Sequence, residues 1–307
     1  MRLVIVFTLL ASIGIVACRQ DTVRYKIDPE QQFQTIHGFG ASDAWSNQLI
    51  LKMSEESKSQ VARWLFSRKI KDDGSPEGIG LSIWRFNLGA GSAEQGADSG
   101  IGDAYRREEC FLNADGTYNW SKQAGQQWML RQAKALGVST FIGFANSPPV
   151  HLTKNGKAFS GVCDSCNLSP DHYPLFSRVL VDIAEHFQNE SIVFDYISPV
   201  NEPQWGWCER DGQEGCPWSN DQLADFVKIL NSDLETSSLP TRIQITESGT
   251  MHQWLVDTTS VGDRDNQAYE FFHPESRNYV GDLSRLAPHM VGHSYFTTWP
   301  DTVLTVV

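Results

Sequence analysis

Basic charge is scarce in this chain: 25 Lys and Arg stand against 37 Asp and Glu, a net charge of −12 over 307 residues. That balance argues against nucleic acid as a partner and favours a neutral ligand. No Gly-rich dinucleotide fingerprint follows the first apolar strand, so nothing implies a nucleotide or any other cofactor. No internal repeat, low-complexity tract or Pro/Ser linker interrupts residues 21–307, which read as one domain. Cysteine is used six times, yet Cys163-Asp164-Ser165-Cys166 has no second CxxC to complete a zinc site. No metal is expected. Cys208 and Cys216, close together in one loop, are expected to pair. Cys163 and Cys166 are left to a local bridge or one to Cys110.

The first residues read as an export signal. Met1-Arg2 is a short basic start, and the apolar stretch at 3–16 is too short to cross a bilayer as a mature helix. It ends Ile15-Val16-Ala17-Cys18, similar to a bacterial lipobox, which places cleavage before Cys18 and a lipid on its sulfur. The alternative is an ordinary secretory signal with an incidental cysteine. Either way the mature protein is exported. It is lipid-anchored at the bacterial cell envelope or secreted, touches membrane only through Cys18, and sits where disulfides persist.

Beyond the leader, strand and helix patterns alternate. Strands are expected at 33–40, 79–88, 139–145, 194–200, 241–246 and 290–297. Helices are expected at 54–66 with Ser54 as N-cap, at 121–136 ending before Gly137, at 171–187, and at 220–230 with Asn220 as N-cap. Residues 21–32 form a further strand outside this series. Repeated strand–helix units imply an α/β fold with a parallel sheet. Polar residues gather after each strand, which favours a (β/α)8 TIM-type barrel, whose functional residues sit at the carboxyl ends of its strands. A doubly wound sheet is the alternative.

The stretch FDYISPVNEPQWGW at 194–207 carries the most information. A strand rich in β-formers stops at Pro203, which cannot donate to a ladder, leaving Asn201 and Glu202 at its end with Trp205 and Trp207 just beyond. A carboxylate beside an amide and under indole rings suits acid catalysis on a sugar. Glu supplies the proton, Asn binds a hydroxyl, and Trp stacks on the apolar face of the ring. The competing reading is a helix N-terminus with Glu in its first turn. The ten Trp residues fit carbohydrate stacking and equally a Trp-rich core. Other strand ends offer Asp43, Arg85 with Asn87, Asn146, Glu247, and His293 with Tyr295 and Trp299. Each has a structural alternative: Arg85 as an ion-pair partner, His293 as a core histidine, Tyr295 as packing, Glu247 as a helix-capping carboxylate.

Gly38-Phe39-Gly40-Ala41 with Asp43, Trp84-Arg85-Phe86-Asn87, Ala145-Asn146-Ser147-Pro148-Pro149, Ser198-Pro199-Val200-Asn201-Glu202-Pro203-Gln204-Trp205 and His293-Ser294-Tyr295-Phe296 follow one another in order. As a set they resemble glycoside hydrolase family 30, in its endo-β-1,6-galactanase-like branch. The resemblance implies a (β/α)8 barrel with a small side β-domain, and a retaining hydrolase of β-linked polysaccharide. It makes Glu202 the acid/base, Asn201 a contact to the sugar 2-hydroxyl, and Arg85 and Tyr295 residues that orient carboxylates. Asp43, Asn146, Trp205 and His293 join the substrate-binding set. Retaining chemistry also needs a nucleophilic carboxylate about 5–5.5 Å from the acid, which the family carries on its seventh strand. The patterns here reach a sixth, so the expectation is a C-terminally truncated barrel at 33–307, with about six of eight strands, a leader at 1–17 and a side-domain remnant at 18–32. Glu247 as a substitute nucleophile is disfavoured by its place on the strand next to Glu202's. The rival class is a catalytically inactive, glycan-binding surface lipoprotein using Trp205, Trp207 and Trp299.

Overall fold

The computed structural model describes residues 24–26, 28–255 and 263–295. The expected leader, Cys18, Phe296, Trp299 and the tail to residue 307 lie outside the described residues. The chain divides into two compact units, Met1–His37 and Gly38–Val307. In the first, the described residues carry no strand. Asp28 instead makes a local turn, its carbonyl accepting from the Gln31 N–H at 3.3 Å and its side chain from the Glu30 N–H at 3.1 Å. Pro29 has no N–H to offer a ladder, which accounts for a turn where a strand was expected.

In the second unit, strands β1 (Gly40–Ser42), β2 (Ile83–Asn87), β3 (Thr140–Phe144), β4 (Tyr196–Ser198) and β5 (Arg242–Ile243) form one parallel sheet in sequence order. Between them run α1 (Glu55–Phe66), α2 (Ala124–Ala135), α3 (Tyr173–Asn189) and α4 (Asn220–Thr236). This is the expected alternation. Strand β6 (Thr246–Ser248) pairs in parallel with β7 (Val291–Gly292) as a separate two-stranded sheet, and α5 (Gln267–Phe272) lies between them in sequence. The described residues therefore form an α/β fold with an open sheet, and no closed barrel is seen among them.

Two strand assignments change. β1 begins at Gly40, where the first expected strand ends, because only Gly40–Ser42 register with Ile83–Arg85. Gly40 is required there: a Cβ would lie 2.8 Å from the Cβ of Ile83. The fifth expected strand is split, since Ile243 pairs with Ile197 of β4 whereas Thr246 pairs with Val291 of β7.

The helices form for local reasons. Ser54 caps α1 by accepting the Ser57 N–H. Gly137, at φ 94°, takes the left-handed turn that ends α2. The cap of α4 is Ser219, not Asn220. Ser219 accepts the Gln222 N–H while Gln222 accepts the Ser219 N–H, a reciprocal capping box. Asn220 instead donates its side-chain amide to the Asp265 carbonyl at 2.9 Å. In α3 the spacing of Phe176, Val179, Leu180, Ile183 and Phe187 buries one stripe, with Leu175 left largely exposed. That stripe meets Phe86 of β2 and Phe226 of α4 through ring contacts of 5.3 and 5.1 Å. The core thus lies between sheet and helices, and the carboxyl ends of the strands are free to carry a site.

Cysteine pairing also differs. Cys163 is bridged to Cys208, and Cys110, Cys166 and Cys216 are unbridged and buried. The fold brings the 158–168 loop against the 204–216 loop, which sequence proximity within either loop does not reveal.

Candidate active site

Beyond the ends of β2, β3, β4 and β6 lies a cavity of about 490 Å³. Seven of the expected site residues line it: Arg85, Asn146, Asn201, Glu202, Trp205, His293 and Tyr295. Trp207 adds a second indole to the wall. Asp43 is the exception. It is 2 % exposed and sits behind the wall, where its Oδ1 accepts the Asn87 N–H at 2.6 Å. The Asn87 side chain in turn accepts from the Asn146 amide at 3.0 Å, so Asp43 supports a lining residue and does not face the cavity. Burial pushes its carboxyl up to about 8, against the hydrogen bond from Asn87 and the charge of Arg85.

The polar centre is a chain of five groups, Glu202, His293, Glu247, Arg85 and Asn201, with Ser198 attached to Glu247. His293 Nδ1 lies 2.7 Å from Glu202 Oε1, and its Nε2 lies 3.0 Å from Glu247 Oε2. Arg85 Nη2 donates to that same Glu247 oxygen at 2.8 Å and to Asn201 Oδ1 at 3.0 Å. Ser198 donates to the other Glu247 oxygen at 2.5 Å. The Arg85 guanidinium also lies over the Phe144 ring, 3.3 Å from its centroid, a placement that favours the cation.

Exposure separates the two carboxylates. The Glu202 side chain is 15 % exposed and borders the cavity, whereas that of Glu247 is 1 % exposed with both oxygens occupied. Burial alone would raise the Glu247 carboxyl, but Arg85 and His293 overcome it and hold the group below its ordinary value. His293 is partly buried, which disfavours its charge. Its hydrogen bonds to Glu202 and Glu247 nevertheless lift it to about 9, so the imidazole is a cation donating from both nitrogens at neutral pH.

The backbone is shaped for this pairing. Glu202 and Glu247 both take left-handed conformations, at φ 47° and 53°. For non-glycine residues these cost about 1–3 kcal/mol each and persist only where neighbours hold them. Here the Glu202 N–H donates to the Glu247 carbonyl at 2.9 Å, and Trp207 Nε1 donates to the Glu202 carbonyl at 3.0 Å. The strand stops at Ser198, before Pro203 is reached, so Pro203 is not what ends it; the expected alternative of a helix N-terminus at Glu202 does not occur either.

A carboxylate beside an imidazolium, with an amide and two indoles around an open cavity, is equipped to bind a neutral polyhydroxylated ligand and move a proton at it. The family model for O-glycosyl hydrolase family 30 matches residues 22–307. The chain belongs to that family. It is 28% identical to an endo-β-1,6-galactanase of Hypocrea rufa over 81% of its own length and 54% of that protein's. Its fold matches the crystal structure of a conserved exported protein from Bacteroides fragilis, with TM-score 0.84, 34% identity, and coverage of 91% of this chain and 57% of that one. An endo-β-1,6-glucanase structure shares the fold at TM-score 0.65 and 18% identity, over 91% of this chain and 56% of that one. The chain thus spans a little over half the length of these relatives.

For Glu247, as for Asp43, the structure gives a different role from the one expected. The helix-capping reading does not hold: Glu247 caps no helix and cannot reach the cavity, but it joins Arg85 to His293. Asp211, Gln213, Thr250 and Gln253 also line the cavity and carry no pattern that would single them out.

Proposed function

We propose that this family 30 chain acts on β-linked polysaccharide of the β-1,6-galactan type, with Glu202 as the acid/base of a retaining mechanism. The observation that carries the reading is the position of Glu202: a partly exposed carboxylate on an aromatic-walled cavity, hydrogen-bonded to His293. In this role Glu202 passes the proton that the His293 imidazolium holds at 2.7 Å to the departing glycosidic oxygen, and then takes a proton from the water that releases the sugar and returns it to His293. Asn201, fixed by Arg85, is aimed at a sugar hydroxyl. Trp205, half exposed, offers its face to a pyranose ring. The endo-β-1,6-galactanase likeness supports the choice of galactan.

The nucleophile is the open part of the reaction. Among the described residues, the carboxylates lining the cavity are Glu202 and Asp211. Asp211 is engaged on both oxygens, by Trp205 Nε1 at 3.2 Å and by the Cys208 N–H at 2.8 Å. Glu247 is enclosed. A double displacement therefore draws its second carboxylate from outside the described residues, in line with the seventh-strand position that the family resemblance implies. The same observation favours a second reading, a glycan-binding protein without turnover.

We place the protein outside the cytoplasm. The likeness to an exported Bacteroides protein and the Cys163–Cys208 bridge both support export. A lipid on Cys18 is the proposed means of anchoring, and among the described residues no helix is long and apolar enough to cross a membrane.

One experiment separates the readings. The 307-residue chain is incubated with β-1,6-galactan, and both reducing ends and bound oligosaccharide are measured. Hydrolysis that falls about 10²–10⁴-fold in Glu202→Gln supports the acid/base role. Saturable binding without new reducing ends, lost in Trp205→Ala, supports the binding protein. Hydrolysis undiminished in Glu202→Gln rejects the assignment of Glu202.

A further inference from the structure

One wall of the cavity is an excursion of the chain between Cys208 and Cys216. It carries Asp211 and Gln213 on the cavity side, and Asp211 fixes Trp205 by accepting its Nε1–H at 3.2 Å. Its first foot is covalently held, since Cys208 is bridged to Cys163. Its second foot is Cys216, and there the structure places another thiol. Cys166 Sγ lies 3.8 Å from Cys216 Sγ, both residues are buried, and the Asn167 N–H points at the Cys216 sulfur at 3.4 Å. Cys163 and Cys166 belong to a single CDSC turn, so both feet of the excursion come down on the same four residues.

We propose that Cys166 and Cys216 close a second disulfide alongside Cys163–Cys208, so that two bridges fasten both feet of the cavity wall to one turn. A disulfide needs its sulfurs about 2.05 Å apart, so the pair, at 3.8 Å, must close by under 2 Å. The surroundings suit the chemistry. Hydrogen bonding from Cys216 lowers the Cys166 thiol despite its burial, and the charges of Lys154 and Arg264 act in the same direction. Cys166 is thus the sulfur disposed to be the attacking thiolate.

The oxidant is an external disulfide met before the loops bury the pair. Cys166, the lowered thiol, first attacks the external disulfide, displaces one external thiol and forms a mixed disulfide. The Cys216 sulfur then attacks the Cys166 sulfur, the new S–S bond forms, and the second external thiol leaves with the proton of Cys216. Two protein thiols are oxidised and one disulfide is reduced to two thiols.

Close packing explains why the second foot matters. The Gly215 N–H donates to the Ala158 carbonyl at 2.9 Å, and Gly215 lies so near the Trp207 indole that a Cβ would fall 2.4 Å from the ring. Trp207 in turn holds the Glu202 carbonyl. Fixing Cys216 therefore fixes the floor on which the Glu202 loop rests, whichever reading of Glu202 is right.

Peptide mapping decides the matter without an activity assay. The full chain is made under oxidising conditions, unfolded without reductant in the presence of N-ethylmaleimide, and digested with trypsin. Cleavage places Cys163 and Cys166 together in 158–178, Cys208 in 179–210 and Cys216 in 211–228. The expected result is a single three-peptide species, with Cys110 labelled and neither Cys166 nor Cys216 labelled. A second digestion, on the amino side of Asp, cuts before Asp164 and separates Cys163 from Cys166; it should leave Cys166 in 164–170 bridged to Cys216 in 211–220. Label on both Cys166 and Cys216 in most molecules overturns the proposal, as does Cys216 joined to any partner other than Cys166.

Discussion

His293 is charged because two carboxylates face it, and that makes Glu247 the residue on which the polar centre turns. Replacing Glu247 with Gln removes one of the two anions that lift the imidazole while leaving the burial that lowers it. The groups facing His293 are then Glu202 on one nitrogen, the neutral amide on the other, Arg85 behind that amide, and the ring of Tyr295 at 5.6 Å. In Glu247→Gln the His293 titration, followed by imidazole nitrogen NMR, should fall from about 9 toward the ordinary 6.5. A titration unmoved by the substitution would show that Glu247 does not govern the charge. Arg85 loses its buried partner as well, and breaking a buried pair costs roughly 3–5 kcal/mol, so thermal unfolding should shift down in the same variant. Residues such as Glu202, Asn201 and Arg85 were legible because each follows an apolar strand and forms part of an ordered set of motifs. Glu247 was not, because its partners Arg85, Ser198 and His293 lie 162, 49 and 46 residues away, and only the fold brings them together.

Elements were read well where their signals are local. Ser54, Gly137 and the apolar stripe of α3 act through neighbours within one or two turns, and the strand–helix order follows from them. Errors arose where neighbouring residues compete for one role or where the partner is remote. Ser219 and Asn220 are both good caps by type, and the Gln222 side chain that completes the box selects Ser219. Ser219→Ala should therefore lower stability by ~1 kcal/mol, measured by denaturant midpoint at unchanged m-value. An unchanged midpoint would mean that the box contributes nothing. The loop after β4 gives a second expectation. A methyl at Gly215 must displace the Trp207 ring, and Trp207 holds the Glu202 carbonyl. Gly215→Ala should change the near-ultraviolet circular dichroism of the Trp residues and weaken oligosaccharide binding together. Loss of neither would detach the excursion from the site.

At the scale of the molecule, the α/β class and parallel sheet were legible because alternation is a property of the whole chain, whereas closure was not, since it depends on edge strands meeting. One collective feature had no signal in the sequence. Asp43, Glu108 and Glu214 are all buried, and burial, with Glu214 and Asp43 adding like charge around Glu108, pushes them up to about 8, 10 and 7. A carboxyl raised in the fold binds its proton more tightly folded than unfolded. The stability this confers is present below the unfolded value and is lost progressively as pH rises through the folded one. His293 works in the same direction, its contribution being complete below 6.5 and lost as pH passes about 9. Glu247 opposes them only in acid, because its lowered carboxyl contributes above its unfolded value and fails as pH falls through the folded one. The four raised groups therefore set the trend from weakly acidic to alkaline pH. The unfolding temperature by calorimetry should be highest near pH 4–5, about the unfolded values of these acids, and fall steadily toward pH 9, and Asp43→Asn should flatten the decline between pH 5 and 8. A midpoint that rises over that interval would mean these acids are ionised in the folded protein and paired with groups that burial alone does not reveal.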